Sequence, residues 1–272
     1  MGSIELVVTD LDGTLWHTDD HVPAPVLGAV AELERRGTPL LVATGRRLAS
    51  TRGPLARHGL APPAVVLNGA LGVDLVDGAR WHRAAFEPTE ANAVAAAFAS
   101  VDVAPVAYVD HVDHDTVVSE SPDTHPDHAA ALAARSRVVR RDELATAIAG
   151  EVVLGFGMIG AAAAVAEAAR GAVAALAEVH LDRSMDHPGS MTLTVAPRGQ
   201  SKWNGVLAFC DRRGLDSTRV LALADGANDL ELLERAAVGL VPSVAHPEAL
   251  SRATTVIGPA AEGGWAAVLD HL

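Results

Sequence analysis

Two aspartates set two residues apart close an apolar run, Leu6-Val7-Val8-Thr9-Asp10-Leu11-Asp12-Gly13-Thr14. In extended backbone, side chains two apart project to the same side, so Asp10 and Asp12 can work on one ligand. Paired carboxylates at the end of a strand suit phosphoryl chemistry. Without chemistry, Asp-Leu-Asp-Gly is equally a turn, because Asp and Gly favour turn geometry. Three further segments carry the same kind of signal.

Leu40-Leu41-Val42-Ala43-Thr44-Gly45-Arg46-Arg47 ends an apolar run in a hydroxyl, a glycine and two guanidinium groups. A hydroxyl beside free backbone N–H groups at a helix start cradles an oxyanion or phosphate, and it also serves as a helix cap. Gly199-Gln200-Ser201-Lys202-Trp203 puts a lysine at a helix start, where the macrodipole disfavours a cation. Beside an acidic site that lysine would neutralise a carboxylate and a phosphate together. Finally, Val220-Leu221-Ala222-Leu223-Ala224-Asp225-Gly226-Ala227-Asn228-Asp229-Leu230 ends a strand in acid, glycine, amide and acid. Hard oxygen donors of this kind suit Mg2+, whereas helix capping by Asn228 and Asp229 is the alternative.

These residues need strands that deliver them to one edge. The first third alternates strand and helix patterns: Leu6–Thr9, helix Ala24–Arg36 ended by Gly37, strand Pro39–Ala43, helix Leu48–His58 ended by Gly59, and strand Ala64–Leu67. Such alternation predicts an α/β fold, a doubly wound, Rossmann-like parallel sheet with active residues at the carboxyl ends of its strands. A hairpin then follows, Gly69–Val73 and Arg80–His82 around Asp77-Gly78, and Pro88 opens a helix running to about Ser100.

Strand candidates at Val106–Val109, Thr116–Ser119, Val152–Met158, Glu178–Leu181 and Met191–Val195, with helices near Arg141–Ala149 and Ala161–Leu176, form a middle block. The opening rhythm resumes with helix Ser201–Arg213, strand Arg219–Ala224, helix Asn228–Ala236, strand Val238–Val241 and a terminal helix from about Glu262. The expected division is a discontinuous core of residues 1–84 and 196–272, with an inserted α/β domain of residues 85–195.

The 272 residues are 49% hydrophobic, enough for a well-packed core, and the net charge of −13 argues against a surface for nucleic acid or anionic membrane. A small diffusible ligand fits better. The single cysteine, Cys210, excludes an intramolecular disulfide and falls on an apolar helix face. Glu5 and Asp10 interrupt the first apolar run, so no signal peptide is read and a cytoplasmic location is the default. The uncharged stretch Val152–Ala166 is too short to span a bilayer.

With these motifs in hand, the chain resembles the haloacid dehalogenase-like superfamily, specifically the Cof-type sugar phosphatases with a large inserted cap domain. The resemblance covers essentially the whole length: Asp-Leu-Asp-Gly-Thr at 10–14, Thr-Gly-Arg at 44–46, Asn-Gly-Ala at 68–70, Ser-Lys at 201–202 and Asp-Gly-Ala-Asn-Asp at 225–229. It implies that Asp10 is a nucleophile forming an aspartyl-phosphate. Asp12 is implied as the group that protonates the leaving alcohol and then activates water. Mg2+ would be held by the Asp10 carboxylate, the Asp12 backbone carbonyl and Asp225, with Asp229 helping directly or through water.

The resemblance further gives Thr44 and Lys202 to the phosphoryl oxygens and Asn228 to the metal shell or the phosphate. Gly45, Arg46 and Asn68 would contact substrate. One departure stands out, because the family usually has Gly where this chain has Ala224, one methyl group more near the site. The His/Asp cluster Tyr108–Asp115, followed by His125 and His128, is a solvated loop or substrate-selecting surface, with a second metal site as the alternative. His111, His114, Arg183 and His187 are candidates for leaving-group specificity.

The implied function is hydrolysis of a small phosphorylated metabolite, a sugar or polyol phosphate. A phosphomutase or phosphotransferase using the same aspartyl-phosphate is the alternative, as is a non-catalytic protein that binds phosphorylated ligands. A cation pump would need membrane helices that the sequence lacks, and a signalling receiver would be shorter and need no Asp two residues after its acceptor. Composition fits a monomer and a homodimer equally.

Overall fold

The computed structural model describes residues 3–17, 20–133, 135–184 and 187–272. It divides into two compact units, one of Met1–Arg83 with Ser201–Leu272 and one of Ala84–Gln200. In chain order the first unit begins with β1 (Leu6–Thr9), α1 (Ala24–Arg36), β2 (Leu40–Ala43), α2 (Leu48–Arg57), β3 (Ala64–Val66), β4 (Leu71–Val73) and β5 (Arg80–Arg83). The second contains α3 (Pro88–Ser100), β6 (Val106–Val109), β7 (Thr116–Ser119), α4 (Pro126–Ala133), β8 (Ser136–Val139), α5 (Leu144–Ile148), β9 (Val153–Ala161), α6 (Ala163–Val173), β10 (Glu178–Arg183) and β11 (Met191–Ala196). The first unit resumes with α7 (Lys202–Arg213), β12 (Val220–Leu223), α8 (Leu230–Arg235), β13 (Val238–Pro242), α9 (Pro247–Ser251), β14 (Thr255–Ile257) and a 3-10 helix, Gly264–His271.

The first unit's sheet has the order β14-β13-β12-β1-β2-β3-β4-β5. Every pair from β14 to β3 is parallel, while β4 and β5 add an antiparallel edge. From β1 the chain proceeds outward through β2 to β3, and its later passage proceeds from β12 the other way. The ends of β1 and β12 therefore flank the point where strand order reverses, the place where open α/β sheets bind ligands. All four residues of β1 are buried, as expected of a central strand covered on both faces. Each buried aliphatic side chain there contributes roughly 1.5–3 kcal/mol.

The helices start and stop for local reasons. Pro at the first turn opens α1, Gly37 in the left-handed region closes it, and Val26, Ala29 and Leu33 form its buried stripe. On α7, Trp203, Val206, Phe209 and Cys210 are buried, the helix ends at left-handed Gly214, and the Cys210 thiol is pushed up to about 11 by burial.

The second unit is a sheet of order β10-β11-β9-β6-β7-β8, antiparallel except for the parallel pair β7 and β8. Its core gathers Phe86, Phe98, Phe156 and Met158 with the buried faces of α3 and α6. The uncharged stretch near Val152–Ala166 is strand β9 and the start of α6, and no helix of the described residues is long and apolar enough to cross a membrane.

Several elements depart from the sequence pattern. The helix expected over Arg141–Ala149 is a 3-10 turn, Arg141–Glu143, followed by the five-residue α5. The terminal helix expected from about Glu262 is the 3-10 segment Gly264–His271, whose start lies so close to the backbone of Gly258 that a side chain at 264 would clash. Four elements carry no clear pattern: α4, β8, α9 and β14. β8 and β14 are edge strands with partly exposed residues, so no buried apolar run announces them.

Candidate active site

Asp10 follows β1 directly, and its N–H donates to Leu223 O at 2.9 Å, fastening the end of β1 to β12. The N–H groups of Thr14, Leu15 and Trp16 all turn back to Leu11 O, at 3.2, 2.9 and 3.1 Å. Gly13 makes this turn with φ +74°, and a Cβ there would lie 2.1 Å from Asp225 Oδ2, so only glycine fits. Thr14 Oγ1 donates to Asp225 Oδ1 at 3.0 Å. The Asp-Leu-Asp-Gly-Thr turn is thus built against the acid that ends the neighbouring strand.

Lys202, the first residue of α7, is 1% exposed, and its Nζ donates to Asp10 Oδ1 and to Asp229 Oδ1, both at 2.7 Å. Fully buried Asp229 also accepts the Gly226 N–H on Oδ2 at 3.0 Å. It therefore closes its own turn as a cap while gripping the lysine. Two carboxylates offset the unfavourable position of a cation at a helix start. Burial favours the neutral amine of Lys202, but Asp10 and Asp229 outweigh it and hold the ammonium above the ordinary lysine range.

Thr44 is buried at the end of β2, where its Oγ1 accepts the Arg46 N–H at 3.1 Å. It does not cap α2, whose N-cap is Arg47 without a side-chain bond. Arg46 grips Asp12 through Nε to Oδ2 at 2.6 Å and Nη2 to Oδ1 at 2.5 Å. Its Nη2 also lies 2.7 Å from Asp20 Oδ1, and Nη1 donates to Ser50 O at 3.1 Å. Burial opposes this guanidinium's charge, yet Asp12 and Asp20 hold it above the usual arginine range.

After β3, Leu67 and Asn68 both take φ of +52°, a left-handed conformation that costs L-residues about 1–2 kcal/mol each. Two hydrogen bonds hold it, Leu67 N–H to Arg46 O and Asn68 N–H to Thr44 O, both at 3.0 Å. The loop carries Asn68 Oδ1 to Asn228 Nδ2, which donates to it at 2.9 Å. Gly45 allows this, since a Cβ there would stand 3.0 Å from the same Asn68 oxygen. Ala224, where the resemblance leads to an expected glycine, is fully buried, with its N–H donating to Leu240 O at 3.2 Å.

One carboxylate oxygen from each of Asp10, Asp225 and Asp229 lies within 4.8 Å of the others. Three acids face one ammonium here, an excess of negative charge. Burial, with Asp229, Asp225 and Asp12 adding to it against Lys202, raises Asp10 well above the ordinary carboxyl range. Burial and then Asp229 push Asp225 up to about 6. A divalent cation would relieve that excess, and an all-oxygen donor set fits Mg2+.

Four contributors escaped the sequence reading. Trp16 donates from Nε1 to Asp12 Oδ1 at 3.0 Å and lies under the Arg46 guanidinium, 5.1 Å from ring centre to Cζ. Asp20 completes the hold on Arg46. Trp265 donates from Nε1 to Thr9 Oγ1 at 2.8 Å, and that hydroxyl donates to Asp10 O at 2.7 Å. Trp16 sits four residues past Asp12, a readable spacing, but nothing in the sequence ties Trp265 to Thr9.

Residues 7–269 match the family model described as haloacid dehalogenase-like hydrolase. The phosphoglycolate phosphatase of Methanopyrus kandleri is 25% identical over 271 residues, covering 95% of this chain and 92% of that protein. Two solved structures share the fold. The phosphatase BT1666 from Bacteroides thetaiotaomicron superposes with a TM-score of 0.78 at 22% identity, over 99% of this chain and 95% of that one. The HAD subclass IIB sugar phosphatase BT4131 gives 0.76 at 20% identity, over 98% of each chain.

Proposed function

The chain belongs to the haloacid dehalogenase-like hydrolase family, and from that premise we propose that it is a Mg2+-dependent phosphatase of a small phosphomonoester, a sugar or polyol phosphate, working through an aspartyl-phosphate. The observation that carries this reading is the Lys202 ammonium, 2.7 Å from both Asp10 and Asp229 beside a third acid, Asp225. Lys202 holds Oδ1 of Asp10, which leaves Oδ2 to be assigned the attack. That oxygen is the nucleophile.

Asp10 attacks phosphorus, the bond to the leaving oxygen breaks, and Asp12 delivers a proton to the departing alkoxide. Asp12 then takes a proton from water, whose oxygen attacks the aspartyl-phosphate, releasing inorganic phosphate and restoring both aspartates. Lys202 and Thr44 bind the transferring phosphoryl oxygens, while Asn68 and Asn228, joined by their own hydrogen bond, present amide groups beside them. Arg46, anchored on Asp12, orients the acid and meets the substrate from that side, with Gly45 keeping the approach open. Mg2+, held by Asp10, the Asp12 carbonyl and Asp225, with Asp229 behind them, would neutralise the repulsion between carboxylate and phosphate.

The inserted unit is assigned the role of a cap that selects the leaving group, with His111, His114 and Arg183 as its candidate contacts. The names of the relatives, a phosphoglycolate phosphatase and a sugar phosphatase, support a small phosphorylated metabolite as substrate.

The test is phosphate release from a panel of sugar, polyol, glycolate and nucleotide monophosphates, with Mg2+ and then with excess chelator. Metal-dependent release that Asp10→Asn abolishes supports the reading. Transfer of the phosphoryl group to an added alcohol, without net release, would replace it by a phosphotransferase using the same aspartate.

A further inference from the structure

We propose that the inserted unit holds a site of its own for a divalent transition metal of the zinc type, formed by His125, Asp127 and His187. One ligand atom from each lies within 4.8 Å of the other two. His125 Nδ1 stands 3.7 Å from Asp127 Oδ2. A tetrahedral zinc ion with bonds of about 2.0–2.1 Å separates its ligand atoms by roughly 3.3 Å, so closing the site turns the two rings out of their stack and, where His125 binds through Nδ1, replaces the Asp127 N–H that this nitrogen accepts at 3.3 Å. The His125 and His187 rings stack with centroids 3.8 Å apart and planes 19° apart.

The backbone is shaped for this meeting. His125 is fixed to β9 by its N–H, which donates to Ile159 O at 2.8 Å. The next residue, Gly160, has φ +70°, and a Cβ there would fall 2.6 Å from His125 Cβ and 2.7 Å from His187 Cδ2. Any side chain at 160 would push the imidazoles apart. His187 is held from its own side: its N–H donates to Ser184 Oγ at 3.2 Å, and its carbonyl accepts the Ser190 N–H at 3.1 Å and the Ser190 hydroxyl at 2.5 Å. Asp127 lies in the first turn of α4.

Two imidazoles and a carboxylate select the metal class. Mg2+ and Ca2+ take oxygen donors, whereas imidazole suits zinc, nickel, cobalt and copper. Three protein ligands leave the fourth position of a tetrahedron to water. The ion would clamp the segment after β10 to the head of α4. His187, a specificity candidate by sequence, becomes a ligand. This proposal is independent of the chemistry assigned to the acidic cluster.

The experiment is Zn2+ titration of the chelator-stripped full-length protein in excess Mg2+, by competition with a chromophoric chelator, together with Co2+ absorption. One Zn2+ equivalent, insensitive to Mg2+ and retained in Asp225→Asn, is expected. His187→Ala should remove it along with the visible Co2+ bands. Asp127→Asn, at a side chain 85% exposed and so harmless to folding, should weaken it about tenfold or more. Absence of that equivalent, its loss in Asp225→Asn, its survival in folded His187→Ala, or unchanged affinity in Asp127→Asn overturns the site.

Discussion

Arg46 clasps Asp12 in a bidentate grip, Nε to Oδ2 at 2.6 Å and Nη2 to Oδ1 at 2.5 Å. A paired fork of this kind fixes the carboxyl group's plane, which a single ammonium cannot do. Trp16 adds a third donor to Asp12 and a ring face to Arg46. The carboxylate assigned the proton transfers is therefore pre-oriented by two side chains from different segments.

Removing that grip should cost turnover more than folding. Arg46→Ala is expected to lower kcat about 10–100-fold through misorientation of the acid, with Arg46→Lys falling between it and the wild type because its point charge cannot reproduce the fork. Steady-state kinetics on the best panel substrate checks this; a kcat in Arg46→Lys or Arg46→Ala equal to that of the wild type would show that the fork's orientation of Asp12 contributes nothing.

Asp10→Asn conserves volume and should fold, yet lower turnover at least about 10⁴-fold by removing the nucleophile. Circular dichroism with a phosphate-release assay separates the two effects. A folded variant with near wild-type turnover would end the aspartyl-phosphate mechanism.

Asp12→Asn tests the division of labour between the aspartates. Turnover should collapse while a good leaving group, which needs no protonation, still phosphorylates Asp10, because hydrolysis of the intermediate loses its base. Intact-mass measurement after quenching should find protein heavier by one phosphoryl group. Neither accumulation nor loss of turnover would take the proton-transfer role away from Asp12.

Much of this arrangement is legible in the chain for one physical reason. Asp10, Thr44 and Asp225 each follow a short buried parallel strand, and a parallel sheet brings such strand ends to one edge. Lys202 is legible because a cation at a helix start needs a local acidic partner. The Arg46–Asp12 grip is not, since a pair 34 residues apart depends on how two loops bend. Nor is the left-handed Leu67, which no local preference announces and which the hydrogen bonds to Arg46 O and Thr44 O impose. The edge strands β8 and β14 and the 3-10 end of the chain were hidden for a related reason, because pairing and close backbone approach form them, without a buried apolar stripe.

Gly13→Ala should be damaging far beyond the loss of a flexible residue. The added Cβ would meet Asp225 Oδ2 at 2.1 Å on a backbone with φ +74°, so the variant displaces the acid as well as straining the turn by about 1 kcal/mol or more. Mg2+ affinity, read as the concentration giving half-maximal rate, should weaken while the melting temperature falls by a few degrees. A variant that loses stability with unchanged metal response would place Asp225 outside the metal site.

The pH dependence of stability follows from the acid cluster, and its sign is fixed by Asp225. Folding raises this carboxyl from 3.8 to about 6, chiefly through burial and then through Asp229. A group whose folded pKa is raised favours the folded state while protonated, so its contribution is full below pH 3.8 and is lost as pH climbs through about 6. That loss amounts to about 3 kcal/mol. Surface carboxylates such as Glu32, lowered to about 2 by its hydrogen bonds to Arg35 and Arg36, act in the opposite sense. The effect must therefore be read as a difference between wild type and Asp225→Asn in chelator. Across that window the wild type should lose stability relative to the variant. Mg2+ should stabilise the wild type increasingly as pH rises, because it binds the ionised acids of the folded state. Parallel pH profiles for the two proteins would show that Asp225 does not carry the strain of the cluster, and with it the reason for a cation there.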